Sequence, residues 1–366
     1  REVRVEDVLG REPIVRELDR VGAYLRDRIV LVTGAGGSIG SELCRQIAQV
    51  KPRLLVMLDH AEDNLFNIHR ELTEDRHFHS AVPVVADCKE ERRIREILEQ
   101  HRPTAVFHAA AHKHVAMMEC NPSEAIRNNS FATRLIARLC GDAGVKHFVL
   151  VSTDKAVEPE NVMGASKALA ELAVEQAALS YPETGYSSVR FGNVLGSSGS
   201  VVPIFRRQIA AGGPVTVTDP KMTRYFMTIP EAVQLIIRAG SLGDKGEIFV
   251  LEMGDPVPII ELARDMIALS GLEPDRDIAI EVVGRRPGEK LHEQLFNPYE
   301  HPQTTNVEKI QLAKRDAIEP LALEGVFLEL DELVRGGDEQ RLADRTTAVL
   351  PELRTQTRDQ GTRSSL

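Results

Sequence analysis

An α/β chain built on a doubly wound parallel sheet is predicted by three observations. There are six short apolar runs, amphipathic stretches of helical length between them, and a glycine-rich turn directly after the first run. The runs are Ile29–Val32, Leu54–Leu58, Val82–Ala86, Ala105–Ala109, Phe148–Val151 and Ser188–Phe191. Each has the length and continuous hydrophobicity of a strand buried on both faces. Between them, Ser38–Ala48, Glu90–Glu99 and Pro122–Asp142 repeat apolar residues at helical spacing. Strands alternating with helices imply right-handed crossovers into one sheet. The alternation stops between Gly192 and Pro230, where glycine and proline become dense, and a smaller mixed α/β region is expected from there. The predicted organisation is a lead-in of residues 1–26, a sheet domain of 27–192 and a second region of 193–350. Some segments of that region are expected to return to the sheet domain, and a polar, disordered tail of 351–366 follows.

Composition removes several function classes. A formal net charge of -10 disfavours a nucleic-acid partner, whose phosphates it would repel. No apolar run approaches the roughly 20 residues that span a bilayer, and no signal peptide is visible. The chain opens at Arg1 rather than methionine, as a piece of a longer protein would. Cys44, Cys88, Cys120 and Cys140 lack Cys-x-x-Cys spacing and read as buried free thiols in a reducing compartment.

The first strand runs into Thr33-Gly34-Ala35-Gly36-Gly37-Ser38-Ile39-Gly40. Gly34, Gly37 and Gly40 have the spacing that lets a backbone turn approach a pyrophosphate, which then sits on the helix N-terminus at Ser38 and Ile39. Strand before and helix after are the context that makes this a Rossmann-type dinucleotide fingerprint rather than an ordinary turn. Asp59 ends the second strand, where a carboxylate accepts from the adenosine ribose hydroxyls. With His60 rather than an arginine after it, NAD is favoured over NADP. A loop cap is the competing reading of Asp59. Asp87 and Cys88 follow the third strand and face the adenine edge in this scheme.

The fourth strand ends in His108-Ala109-Ala110-Ala111-His112-Lys113-His114. Ala109, Ala110 and Ala111 suit a backbone lying flat under a cofactor. The three histidines lack interleaved acid or thiol ligands, so no metal site is expected. Lys113 reads as a cation facing the substrate. Asn129, in the next helix, is either a polar residue satisfied locally or an organiser of the site from below, and it counts among the expected cofactor contacts. Arginines on tight Gly/Pro loops (Arg190 before Gly192 and Asn193, Arg224, and Arg286 before Pro287-Gly288-Glu289) are candidates to grip a diphosphate bidentately.

The most specific stretch is Ser152-Thr153-Asp154-Lys155-Ala156-Val157 followed by Asn161-Val162-Met163-Gly164-Ala165-Ser166-Lys167. Met163 and Lys167 have the spacing of the Tyr-x-x-x-Lys pair of short-chain dehydrogenases, with methionine in the tyrosine's place. With Arg190 to Gly196, Met222 to Thr228 and Arg286 to Leu291, these motifs resemble the nucleotide-sugar 4,6-dehydratases of the extended short-chain dehydrogenase/reductase superfamily. The likeness runs from about Val3 to Phe296. The lead-in Arg4 to Arg11 and the methionine are similar to the large membrane-bound subgroup of bacterial polysaccharide synthesis. There a transmembrane segment precedes a catalytic domain at the cytoplasmic face.

The resemblance implies UDP-N-acetylglucosamine as substrate, UDP-2-acetamido-2,6-dideoxy-α-D-xylo-hexos-4-ulose as product, and NAD recycled in place. It implies C5-proton removal by Lys155, protonation of the departing C6 hydroxyl by Asp154, and Lys167 at the nicotinamide ribose. Thr153 would assist the first oxidation, Met163 being unable to act as base. Lys113, Asn193, Arg224, Arg286 and Glu289 would contact the UDP-sugar. A homo-oligomer is expected, with membrane contact only through the segment preceding this chain. A nucleotide-sugar 4-epimerase and a non-catalytic NAD-binding protein are the alternatives. The first has no use for an adjacent Asp-Lys pair, and the second leaves that pair unexplained.

Overall fold

Residues 22–316 and 318–363 are described by the structure, a computed structural model, with side chains described as far as Leu353. The lead-in motif Arg4 to Arg11 lies outside the described residues. Six parallel strands form the centre: β1 Ile29–Thr33, β2 Leu54–Asp59, β3 Ala81–Val85, β4 Ala105–His108, β5 His147–Val151 and β6 Gly185–Arg190. Their spatial order is β3-β2-β1-β4-β5-β6, the doubly wound arrangement that reverses between β1 and β4. The expected strands therefore form, with their ends shifted by one to three residues.

Alternate residues of each strand serve opposite faces. Val30, Val32, Leu55 and Met57 pack under α1 (Ser38–Gln49), whereas Leu31, Val56 and Leu58 pack under the other layer. Helix α2 (Glu62–Arg70) lies on the α1 side through Leu65 and Ile68, and the other layer includes α3 (Glu91–His101), the short helices α4 (Val115–Glu119) and α5 (Pro122–Ala125), and α6 (Ala132–Asp142). Between α5 and α6 the chain widens into a π turn at Ile126–Phe131. Helix α7 (Val162–Ser180) follows β5 and is buried along most of its length.

The second region opens at β7 (Asn193–Val194) and contains α8 (Val201–Ala210), β8 (Val215–Val217), β9 (Thr223–Arg224) and β10 (Phe226–Met227). The chain then returns to the main sheet. Helix α9 (Ile229–Ala239) packs on α1, and β11 (Lys245–Leu251) adds parallel to β6. It leaves again through β12 (Val257–Pro258), α10 (Ile259–Leu269) and β13 (Ile280–Val282), which pairs with β8. Strand β15 (Ile310–Lys314) pairs antiparallel with β11, and β14 (His301–Thr304) closes the edge antiparallel to β15. The second region owns a separate core around Phe205, Val215, Val217, Leu262 and Ile267.

Two expectations need correction. The expected disordered tail of 351–366 is helical as far as Arg363: α11 (Pro320–Gly336) turns at left-handed Gly337 into α12 (Glu339–Arg363), which runs into it. Leu342, Val349 and Leu353 recur at helical spacing and are buried with Phe327 and Leu330 against Leu169 and Leu172 of α7. That pattern continues past Pro351, which polarity alone had taken as the break. Cys44, Cys88 and Cys140 are buried, but Cys120 is exposed, because it follows the last turn of α4. Among the described residues, no helix is long and apolar enough to cross a membrane.

Candidate active site

The glycine turn leaves β1 at the reversal of strand order, where crevices at the carboxyl ends of strands take ligands. Gly34 is left-handed at φ 67, and a Cβ there would lie 2.7 Å from the Ala110 nitrogen. A Cβ on Gly40 would lie 1.9 Å from the Gly34 carbonyl oxygen. Helix, turn and the alanine segment after β4 therefore approach at a distance only glycine allows. The first N–H groups of α1, at Ser38 and Ile39, point out of the helix without intrahelical acceptors.

Asp59 closes the crevice floor. It accepts from the Gly36 N–H at 2.8 Å and the Ala61 N–H at 2.9 Å, and His60 is 3.6 Å away. It thus shapes the glycine loop as well as lining a crevice of about 220 Å³ with Gly34, Gly37, Asp87, Cys88 and Ala109 to Ala111. This is a fit for the adenosine end of a dinucleotide, and a 2′-phosphate would meet the carboxylate.

Asn129 lies beneath the crevice. Its amide exchanges bonds with the His112 backbone, from His112 N–H at 2.8 Å and to His112 O at 2.9 Å, and donates to Ser166 Oγ at 3.0 Å. It is fully buried, so the cofactor contact expected of it gives way to a positioning role, and its neighbour Asn128 lines the crevice instead. The π turn explains the miss, since it shifts which residue faces the ligand. His108 is spent between Thr33 Oγ1 (2.7 Å) and Thr133 Oγ1 (3.0 Å), and burial with the Lys167 charge pulls it down to about 3. Among the described residues, no three His, Cys, Asp or Glu side chains group as metal ligands.

Beyond β5 the chain keeps bonding to β6, Ser152 N–H to Val189 O and Asp154 N–H to Phe191 O. A 3₁₀ turn, Asp154–Ala156, then fixes three groups together. Thr153 Oγ1 donates to Asp154 Oδ1 at 3.0 Å and accepts from the Lys155 N–H at 3.3 Å. Lys155 Nζ donates to Asp154 Oδ1 at 3.0 Å and to Asn193 Oδ1 at 3.1 Å. Asp154 is fully buried, and its Oδ2 has no hydrogen-bond partner among the described residues. Burial alone would depress the Lys155 ammonium, but Asp154 and Glu293 outweigh it and hold it above its ordinary value. Lys113 is drawn lower by desolvation and by Lys155.

Met163 is buried against Met118, Ala125 and Val162. Lys167, one turn later, donates to Val151 O at 2.7 Å, and burial lowers it to about 8.

The arginine candidates divide. Arg190 is fully buried, paired with Glu171 at 2.6 Å and Glu300 at 2.7 Å, so it ties β6 to α7 and cannot reach a diphosphate. Arg224 is buried too. Its guanidinium is committed to the carbonyls of Thr223, Leu291 and Lys290, so it braces the late loop instead of gripping phosphate. Arg286 is exposed, and its N–H bonds the Glu289 carboxylate at 3.1 Å, closing that turn. Asn161 caps α7 through the Gly164 N–H and holds the same loop through Gly288 O.

Sequence reading missed Glu293, a buried carboxylate 3.7 Å from Lys155 Nζ. Its one signal was position, an acid flanked by Leu291 and Leu295 in the extension of a charged loop.

The family model described as polysaccharide biosynthesis protein matches residues 30–315. "Capsular polysaccharide biosynthesis protein CapD" of Staphylococcus aureus is 50% identical over 318 residues, covering 86% of this chain and 53% of that protein. "Probable polysaccharide biosynthesis protein EpsC" of Bacillus subtilis is 46% identical, covering 86% and 52%. The chain thus spans about half the length of the curated relatives it matches. Among solved structures, Pen from Bacillus thuringiensis superposes with a TM-score of 0.73 at 31% identity, covering 84% of this chain and 98% of Pen. A parallel sheet wound in this order, matched by that model over nearly its whole extent, makes the chain a member of the polysaccharide biosynthesis family within the extended short-chain dehydrogenase/reductases.

Proposed function

We propose that the chain is a nucleotide-sugar 4,6-dehydratase acting on UDP-N-acetylglucosamine with retention at C5. The observation that carries this reading is the Thr153-Asp154-Lys155 cluster, a buried acid and an amine 3.0 Å apart where a plain dehydrogenase needs neither. Gly34, Gly37, Ser38, Ile39, Gly40 and Asp59 would hold NAD, with Lys167 at its nicotinamide ribose. The chemistry NAD would supply there is reversible hydride transfer, for oxidation at C4 and reduction at C6.

The residues of the chain move the protons. Thr153 passes the C4 hydroxyl proton to Asp154 Oδ1, to which it already donates. The C4 ketone acidifies the C5 hydrogen, and Lys155 removes it. As the C6–O bond breaks, Asp154 gives its proton to the leaving hydroxyl, and water departs. Lys155 then returns a proton to C5 on the face from which it took one. Each such positioned transfer contributes roughly 10² to 10⁴ in rate. Lys113, Asn193, Arg286 and Glu289 remain the proposed UDP-sugar contacts.

Incubation with UDP-N-acetylglucosamine should give a product lighter by about 18 mass units, the mass of the water lost in the elimination. In heavy water that product should carry one deuterium at C5 with D-xylo configuration. A product of unchanged mass would indicate an epimerase, and the L-arabino sugar would refute retention. Thr153→Val should slow turnover by about 10-fold or more, removing one positioned proton carrier. The isotope effect from deuterium at C4 should rise, because C4–H cleavage becomes limiting. Parent turnover in that variant would place the relay elsewhere.

A further inference from the structure

Lys155 cannot remove a proton while it is an ammonium, and its surroundings keep it one. Asp154 lies 3.0 Å from Nζ on the 3₁₀ turn, and Glu293 lies 3.7 Å away on the late loop. Two cations also face the amine: Lys113 from the segment after β4, and Arg224 from β9. Glu293 Oε1 is 3.9 Å from Arg224 Nε, and the same arginine holds the carbonyls of Lys290 and Leu291. Arg224 therefore fixes the loop and its carboxylate together against Lys155. The Glu293 side chain is 4% exposed, and its Oε2 has no hydrogen-bond partner among the described residues. A buried carboxylate oxygen left unpaired is costly, and calls for a reason.

We propose that Glu293 accepts the proton of Lys155 and thereby makes the amine the base for C5. This rests on the dehydratase reading and adds the step it lacks. Once Asp154 has taken the C4 hydroxyl proton it is neutral and no longer holds the ammonium by charge. Glu293 is then the remaining carboxylate in reach, and its Oε1, the oxygen nearest Nζ, receives the proton. The contact tightens from 3.7 Å for transfer, as contacts of catalytic groups do when substrate is bound. Lys155 becomes a neutral amine and Glu293 a neutral acid. Lys155 next takes the C5 proton while Asp154 releases its own to the leaving hydroxyl, forming water. After Lys155 returns a proton to C5, it recovers the first one from Glu293. No proton is gained or lost by the three side chains over the cycle. Glu293 acts through Lys155 and is a positioning residue.

The test uses the purified 4-keto product in heavy water and takes Asp154→Asn as the parent enzyme of the series, its neutral amide standing for the acid that has taken the C4 hydroxyl proton, because exchange of the C5 hydrogen needs Lys155 and no oxidation step. The parent enzyme should exchange C5 with little dependence on pH between about 6 and 9, a range below the ordinary lysine value. Glu293→Gln keeps the shape and removes the acceptor. Its exchange should fall by at least 100-fold near pH 6 and recover about tenfold per pH unit, as solvent takes over the deprotonation of Lys155. Glu293→Asp should retain a flat profile at a reduced rate. Parent-like exchange in Glu293→Gln, or a loss equal at every pH, would overturn the proposal. Lys155→Met is the separate control. If it exchanges C5 like the parent, the dehydratase reading itself fails, and this inference with it.

Discussion

Lys155→Met and Asp154→Asn are each expected to reduce dehydration of UDP-N-acetylglucosamine by about 10² to 10⁴, or roughly 3 to 5 kcal/mol in the barrier. Both side chains sit outside the glycine crevice, so cofactor retention and UDP binding should stay near the parent values. The two variants should nevertheless differ from each other. Lys155 is held above its ordinary value partly by the Asp154 carboxylate, at 3.0 Å. Neutralising that partner removes an attraction worth several-fold or more in the protonation equilibrium of a buried amine. In Asp154→Asn the amine should release its proton at lower pH, and exchange at C5 of the 4-keto product should persist. Elimination fails there for want of the acid that protonates the C6 hydroxyl. Lys155→Met should lose elimination and exchange alike. Mass spectrometry of the product and NMR at C5 read the two outcomes separately. If Asp154→Asn abolishes exchange as completely as Lys155→Met does, the carboxylate is orienting the amine and the division of labour is wrong.

The parts of the site visible from sequence are those set by local spacing. Gly34, Gly37 and Gly40 lie between a strand and a helix, and Thr153, Asp154 and Lys155 are consecutive at a strand end, so short-range pattern was enough. What failed depends on long-range pairing. Arg190 and Arg224 look like phosphate ligands on Gly/Pro loops, yet the partners that consume them are Glu171, Glu300 and the carbonyls near 290. Those partners are distant in the chain, and no composition rule identifies them. Glu293 was hidden for the same reason, being brought to Lys155 from 138 residues away by the loop that Arg224 braces. Asn129 braces the site from below while Asn128 lines the crevice, a one-residue offset at the π turn that spacing alone does not show. The helix that enters the tail has a readable period in Leu342, Val349 and Leu353, hidden by the polarity of the residues after Pro351.

Gly40→Ala should strip the protein of NAD and lower its melting temperature, while Gly37→Ala should affect binding far more than stability. Sequence treats the glycines of the fingerprint as equivalent, but their surroundings rank them. An alanine Cβ at Gly40 meets the Gly34 carbonyl oxygen at 1.9 Å, the Gly34 carbon at 2.6 Å and the Ala35 Cα at 3.0 Å. All three are backbone atoms, so relief requires the turn to move off the helix, and overpacking of this kind costs about 1–3 kcal/mol or more. The turn that moves also carries Gly36, whose N–H is tied to Asp59, so the ribose carboxylate is disturbed with it. At Gly37 the nearest atom is 3.3 Å away, which a small adjustment absorbs. Its Cβ would instead intrude where a pyrophosphate approaches the backbone. Mass spectrometry of the heat-denatured supernatant should find NAD from the parent, little from Gly37→Ala and none from Gly40→Ala. Thermal unfolding should place Gly37→Ala close to the cofactor-free parent and Gly40→Ala several degrees below it. NAD retained in full by Gly40→Ala would mean that the turn does not hold the pyrophosphate, and NADP in the parent supernatant would overturn the reading of Asp59.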